Sequence, residues 1–169
     1  LGARAQPVPT GELFAMNADG SKTEMLVGFR VDDGGLGTNI KPKKGSEKIA
    51  AFLVDAPPSG SRSGLVSTQP YAVDAYTAVE RIDLFSGRRA RVTSVPVRRA
   101  TFYVDNKGAV RFAVGANSDN VKKLYYRASD DHPWELMSTE ANGRAEYPLG
   151  FSPDDATAYL QVEQKNGPD

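Results

Sequence analysis

The chain has 169 residues and contains no cysteine. This absence excludes disulfides, thiolate metal sites and a cysteine nucleophile. No apolar run approaches the roughly 20 residues that a membrane-spanning helix needs, so no membrane role is predicted. No signal peptide is visible at the N-terminus, and the start on Leu1 fits a processed or trimmed piece of a longer chain.

An excess of charge of either sign is also lacking, because 21 Lys and Arg face 21 Asp and Glu. Binding to nucleic acid or to an anionic membrane relies on clustered excess cations, so neither partner is predicted. The contents of 40% hydrophobic and 25% charged residues are ordinary for a globular chain. The length corresponds to about one domain.

Helical periodicity is nearly absent, since no stretch of about ten residues carries an apolar stripe at helical spacing. Short apolar runs separated by turn residues predict an all-β fold instead. The predicted strands cover residues 12–16, 23–29, 49–54, 79–84, 88–93, 100–104, 109–114, 121–127, 133–138, 147–151 and 156–162.

Turns are predicted where Gly, Asn, Asp or Pro cluster between these runs. They fall at Asn17–Gly20, Ser86–Gly87, Asp105–Gly108, Asn117–Asn120 and Ser152–Asp155. Four other segments lack a strand pattern. They are predicted as an arm or linker (1–11), a loop (31–46), a flexible turn (57–68) and a second loop (141–145).

The strand-and-turn pattern repeats. Asp83 and Arg127 occupy like places, and so do Gly108 and Asp155, with a spacing of roughly 45 residues. Four short antiparallel strands in about 40 to 50 residues are typical of a β-propeller blade. We therefore predict a partial β-propeller of about three antiparallel four-stranded blades over residues 12–169. The blade parts are assigned to residues 12–30, 47–94, 98–139 and 147–169.

No catalytic, metal-binding or cofactor-binding residue is predicted. The run Gly60–Gly64 resembles a hydrolase nucleophile elbow, but Arg62 stands where the serine would have to be. The single histidine, His132, follows Asp130–Asp131 in a polar turn and is predicted to be a surface residue. Asp154–Asp155 is likewise predicted to lie in a turn, where Asp is favoured because its side chain hydrogen-bonds to the nearby backbone.

Three further features have a functional and a structural interpretation. Gly34, Gly35 and Gly37 stand close together, but the strand and helix that flank a phosphate-binding loop are missing. The arginines of 88–91 suggest nucleic acid, yet their alternation favours a solvated strand face. Trp134, Tyr125 and Tyr126 suggest a ligand platform, although aromatic residues in strands usually pack between sheets.

Five segments follow one another in the second half of the chain: Val79–Arg89, Val104–Arg111, Leu124–Arg127, Pro133–Trp134 and Pro148–Asp154. Together they resemble the N-terminal propeller of prolyl oligopeptidase family serine peptidases, most of all the bacterial dipeptidyl and acylaminoacyl peptidase-like members. The resemblance is clearest over residues 79–162.

The resemblance implies a non-catalytic segment. Family members carry catalysis in a separate C-terminal α/β-hydrolase domain with a serine elbow, an Asp and a His, none of which is in this chain. The propeller is implied to cover the active site and to gate the access of peptide substrates. Some members hold the substrate's N-terminus with propeller residues, but no matching acidic pair is found here.

The rival interpretation is a stand-alone, propeller-like module that binds a protein or peptide. An autonomous hydrolase is disfavoured, because the chain offers no nucleophile–base pair. The open edges of an incomplete propeller predict self-association, or ordering by a partner. The cysteine-free composition fits a periplasmic or secreted bacterial protein without requiring one, and substrate specificity stays open.

Overall fold

The computed structural model describes residues 9–29, 41–42, 47–55, 57 and 59–164. These residues form strands and turns, with one short 3-10 turn at Glu140–Asn142, so the all-β prediction is confirmed. Among them, no helix is long and apolar enough to cross a bilayer.

The strands form four sheets that follow one another along the chain. Sheet I contains β1 (Leu13–Ala15), β2 (Glu24–Val27) and β3 (Lys41–Pro42). Sheet II contains β4 (Ile49–Asp55), β5 (Ser63–Pro70), β6 (Ala78–Asp83) and β7 (Arg89–Ser94). Sheet III contains β8 (Thr101–Val104), β9 (Val110–Ala116), β10 (Lys122–Tyr126) and β11 (Glu135–Thr139). Sheet IV contains β12 (Arg144–Phe151) and β13 (Ala158–Gln164).

Sheets II and III are four-stranded antiparallel meanders in which strand order equals chain order. Sheet IV is an antiparallel hairpin, and in sheet I β2 pairs antiparallel with β1 and parallel with β3. The prediction of antiparallel four-stranded sheets is thus confirmed for the two central sheets.

Local side-chain chemistry fixes the turns between these strands. Between β8 and β9, the Asp105 carboxylate accepts hydrogen bonds from the amides of Lys107 and Ala109 at 3.0 and 2.9 Å. Gly108 closes this turn with φ +78°, a left-handed value that favours glycine. The predicted Asp105–Gly108 turn is confirmed, and so are the turns at Asn17–Gly20, Ser86–Gly87, Asn117–Asn120 and Ser152–Asp155.

Apolar layers join each sheet to the next one in the chain. Leu26 and Val27 of sheet I pack on Val66 and Ile82 of sheet II. A second layer packs Leu65 and Val79 of sheet II against Phe102 and Val110 of sheet III. A third joins Phe112, Val114 and Leu124 of sheet III to Tyr147, Phe151 and Leu160 of sheet IV. Sheets II and III are therefore buried on both faces.

The two residue pairs that define the repeat in the sequence lie at equivalent positions in successive sheets. Asp83 ends β6 and Arg127 directly follows β10, and these are the third strands of sheets II and III. Gly108 and Asp155 both have positive φ in the first turn of sheets III and IV. The first strands of sheets II, III and IV follow one another in space, since β4 contacts β8 and β8 contacts β12; β12 also contacts β10 and β11.

Three segment predictions are corrected. The flexible turn at 57–68 is wrong from Ser63 onward, because β5 begins there and runs between β4 and β6. The loop at 141–145 is wrong at its end, since β12 begins at Arg144 rather than at 147. The loop at 31–46 is wrong at Lys41–Pro42, which pair with β2; its other residues, including Gly34, Gly35 and Gly37, lie outside the described residues.

Candidate functional site

His132 is exposed, as predicted, and lies in a turn beyond β10. Its Nδ1 is 2.7 Å from the hydroxyl oxygen of Ser129 in the same turn. The neighbouring carboxylate of Asp130 is bonded to the Arg127 guanidinium and accepts from the amide of Val110. A hydrolase triad needs a carboxylate that orients the histidine, whereas the Asp130 carboxylate is bonded to Arg127 and Val110.

The paired carboxylates occupy turns, as predicted. The hydroxyl of Ser152 donates to Asp154 at 2.6 Å, and this hydrogen bond is the main reason that the pKa of Asp154 lies below its ordinary value. Asp155 accepts hydrogen bonds from the backbone amide and the side-chain amide of Asn106 at 2.9 and 2.8 Å. These contacts link the first turns of sheets III and IV and give the carboxylates a structural role.

The interpretation of the arginines in 88–91 as a solvated face holds for Arg88 and Arg91 and is wrong for Arg89. The Arg89 side chain is only 12% exposed and is ion-paired with Glu47 at 2.5 Å and Glu80 at 2.7 Å. Alternation along a strand predicts which residues share a face, but it does not say which face is covered by another element.

The aromatic residues pack between sheets, as the structural interpretation expected. Tyr125 and Trp134 pack against the layer between sheets II and III, and Tyr126 against the layer between sheets III and IV. The indole Nε1 of Trp134 donates to the Thr93 hydroxyl at 3.1 Å, which ties sheet III to the last strand of sheet II. They form no exposed ligand platform.

A cleft that the sequence did not reveal opens where the first strands of sheets II and III meet. It has a volume of about 480 Å³, within the range of small-molecule sites. Its apolar lining includes Phe52 and Leu53 of β4 and Phe102 and Tyr103 of β8. Phe52 and Leu53 are 45% and 53% exposed, whereas Phe102 is buried.

Polar side chains occupy the end of the cleft where β5 turns towards β6. Gln69 contributes from the end of β5 and Thr77 from just before β6, while Arg99 lies in the connection before β8 and Thr101 begins that strand. Thr77 is 4% exposed, and its hydroxyl oxygen has no hydrogen-bond partner among the described residues. Buried hydroxyls are normally hydrogen-bonded, so this one requires an explanation.

Arg99 is the one charged residue of the cleft lining that the structure describes. Its Nε donates to the carbonyl of Ala116 at 3.2 Å, and its Nη2 donates to the carbonyl of Asn117 at 2.6 Å. The carboxylate of Asp74 lies 3.9 Å from Nε and partly offsets the charge. These contacts hold the guanidinium at the rim, where the side chain is 42% exposed.

The described lining of the cleft consists of apolar side chains and hydrogen-bonding groups. Burial raises the pKa of Tyr103, so its phenol stays a neutral hydrogen-bond donor at neutral pH. No His, Asp or Glu lines the cleft within the described residues to serve as a general base. Across the part of the chain that the structure describes, no group of three or more metal-ligating side chains is assembled.

Comparison of the chain with protein-family models, with curated proteins and with solved structures finds no match.

Proposed function

We propose that the chain is a non-catalytic segment of a β-propeller from a prolyl oligopeptidase family serine peptidase. In this proposal, each sheet is a blade or part of one. The propeller narrows the path by which peptides reach an α/β-hydrolase domain outside residues 1–169. Peptide substrates and that hydrolase domain are the proposed partners.

One observation carries the proposal: equivalent parts of successive sheets lie side by side. The first strands contact one another in chain order, and Asn106 in the first turn of sheet III bonds to Asp155 in the first turn of sheet IV. Blades of a propeller repeat in this way, because a single sheet cannot cover both of its own faces. The choice of family in this proposal rests on the resemblance of residues 79–162 to the propellers of these peptidases.

The proposed mechanism is exclusion by size. First strands of propeller blades surround the central channel, so β4, β8 and β12 would form part of its wall. A stiff wall admits extended peptides and excludes folded proteins. The packed layers between sheets II, III and IV supply that stiffness, since they bury apolar residues on both faces of sheet III.

The reading frame that encodes the chain tests the family. We expect it to continue into an α/β-hydrolase pattern with a Gly-x-Ser-x-Gly elbow, followed by an Asp and a His. The purified parent protein should then cleave short peptides and spare folded proteins. A reading frame without such a domain, or a parent that cleaves folded proteins as fast as peptides, would overturn the proposal.

The cleft between β4 and β8 favours a second candidate, a stand-alone binding module. Its mixed apolar and polar lining and its volume suit a ligand rather than a purely structural gap. The same reading frame separates the two candidates, because a binding module needs no hydrolase domain. Peptidase activity in the parent protein would exclude the second.

A further inference from the structure

We propose that the cleft between β4 and β8 binds a carboxylate attached to an apolar ring. The ring inserts between the aromatic side chains of the two first strands, and the carboxylate lies at the polar end near Arg99. A free aromatic acid and the C-terminal residue of a peptide both present this chemistry. The inference concerns this chain alone and does not depend on its membership of a peptidase.

The apolar half of the cleft accounts for the ring. Phe52 and Leu53 on β4 are about half exposed, although their neighbours on the same strand, Ala50 and Ala51, are buried. Phe102 forms an apolar surface on the other side of the cleft, and it also packs against Trp134 with ring centroids 6.3 Å apart. An inserted ring would remove the exposed surfaces of Phe52 and Leu53 from water, which favours binding in proportion to the area covered.

The polar half accounts for the carboxylate. Arg99 brings a positive charge to a lining whose described residues include no acidic one, and Asp74, 3.9 Å from its Nε, offsets that charge only in part. The structure gives the Nη1 of Arg99 no hydrogen bond to the described residues. A guanidinium binds a carboxylate through charge-assisted hydrogen bonds, which are roughly twice as strong as neutral ones.

Thr77 adds an independent indication. Its hydroxyl lacks a hydrogen-bond partner within the described part of the chain, while the residue itself lines the cleft. A carboxylate has two acceptor oxygens, so one oxygen can face Arg99 while the other accepts from this hydroxyl. An unmade buried hydrogen bond in the free protein would then be made in the complex.

Titration of the full 169-residue chain with two matched probes tests the proposal. The probes are 3-phenylpropanoate and its uncharged amide, 3-phenylpropanamide. Binding is followed by amide chemical shifts and by the fluorescence of Trp134, the only tryptophan. We expect the acid to bind about tenfold or more tightly than the amide, with shifts centred on β4 and β8.

Two variants and one control assign the contacts. Arg99→Gln should abolish the preference for the acid and leave the binding of the amide unchanged. Thr77→Val keeps the shape of the side chain and removes its hydroxyl. It should weaken the binding of the acid more than the binding of the amide. Arg91→Gln changes an exposed arginine of β7 outside the cleft and should bind both probes as the unsubstituted chain does.

A further set of titrations identifies whether the carboxylate comes from a small acid or from a peptide C-terminus. Short peptides ending in Phe are compared with the same peptides amidated at the C-terminus. A preference for the free peptide over its amide points to a peptide C-terminus, whereas binding of 3-phenylpropanoate alone points to a small acid. Equal affinity for acid and amide, binding of neither, or an unchanged preference in both Arg99→Gln and Thr77→Val would overturn the proposal.

Discussion

Arg127 joins sheets II and III, although its guanidinium is charged and its side chain is only 3% exposed. It donates to the carbonyl of Val110 at 2.7 Å and to the hydroxyl of Thr93 at 3.2 Å, and the Trp134 ring lies 4.8 Å from its central carbon. Burial lowers the pKa of Arg127, and the carboxylate of Asp130 opposes that shift. A buried charge persists only when its hydrogen bonds are satisfied, as they are here.

We expect Arg127→Met to lower the free energy of unfolding by about 3 kcal/mol, because it leaves the acceptors of Arg127 without their donor. Urea unfolding followed by far-ultraviolet circular dichroism measures the change. Arg91→Met removes an arginine from the exposed face of β7 and should stay within about 0.5 kcal/mol of the unsubstituted chain. Equal stability of the two variants would show that Arg127 does not hold the sheets together.

Asp83 provides a test that depends on pH. The guanidinium of Arg62, 2.5 Å away, is the largest cause of the lowered pKa of this carboxyl, and the amide of Ser86 adds to it. A pKa that is lower in the folded than in the unfolded state stabilises the fold above the unfolded value of about 3.9. That contribution is lost as the pH falls towards the folded value.

Asp83→Asn should therefore have a lower free energy of unfolding than the unsubstituted chain at neutral pH. This difference should shrink as the pH falls below about 4. Urea midpoints from pH 7 to pH 3 measure this convergence. Glu135→Gln, on the exposed start of β11, serves as the control and should show no comparable change. A deficit of Asp83→Asn that stays constant with pH would contradict the assigned role.

At the scale of the element, β9 depends on a close backbone approach at Gly115. A Cβ at this position would lie 2.6 Å from the carbonyl oxygen of Arg98 and 2.8 Å from Val97 Cγ1. These two residues belong to the connection between β7 and β8, which crosses β9 at this point. Glycine is needed here for space rather than for an unusual φ.

We expect Gly115→Ala to destabilise the chain by about 1 to 3 kcal/mol, because the connection must shift to accept the methyl group. Gly64→Ala in β5 is the matched control, since its added Cβ would meet only ordinary contacts of 3.8 Å or more. Thermal and urea unfolding of both variants compare them. If Gly115→Ala were as stable as Gly64→Ala, the connection would have to be loosely packed.

The elements that were predictable from sequence are those with turn chemistry at both ends. The strand pair around Asp105–Gly108 and the strand over 79–84 have clear turn residues and alternating apolar positions, and both are confirmed. β5 escaped prediction because Ser63, Gly64, Ser67 and Thr68 give it the composition of a loop. It forms a strand because β4 and β6 pair with both of its edges.

The candidate cleft was not predictable for a different reason. Its residues come from β4, from β5, from the segment before β6, from the connection before β8 and from β8 itself, and no local motif connects them. Only the stacking of sheet II on sheet III brings Thr77 and Arg99 to one opening. The burial of Arg89 was missed in the same way, since Glu47 is distant in sequence and close in space.

At the scale of the whole molecule, the four described sheets pack one after another, and none of them closes on itself. Sheet IV is a hairpin whose outer strand β13 pairs only with β12 among the described residues. β13 contains no lysine or proline and exposes Tyr159 and Val162, which are 55% and 46% exposed. Its one charged residue is Glu163, and an edge strand with exposed apolar side chains and so little charge pairs readily with other strands.

We therefore expect the chain to associate with itself in a concentration-dependent manner. Size-exclusion chromatography with light scattering should show a mass that rises with concentration. Val162→Lys should shift the chain towards monomer, whereas Arg91→Lys, on β7, should not. A compact monomer at all concentrations would count against association through β13.

Blades of a propeller fan out from their first strands, and distances between spin labels test whether sheets II and III do so. The chain lacks cysteine, so labels can be placed in pairs: Leu53→Cys with Thr101→Cys on first strands, and Arg91→Cys with Leu136→Cys on fourth strands. Sheets stacked in parallel lie about 10 Å apart along their whole width. We predict a clearly longer distance for the fourth-strand pair than for the first-strand pair. Equal distances would show a parallel stack of sheets and would contradict the propeller.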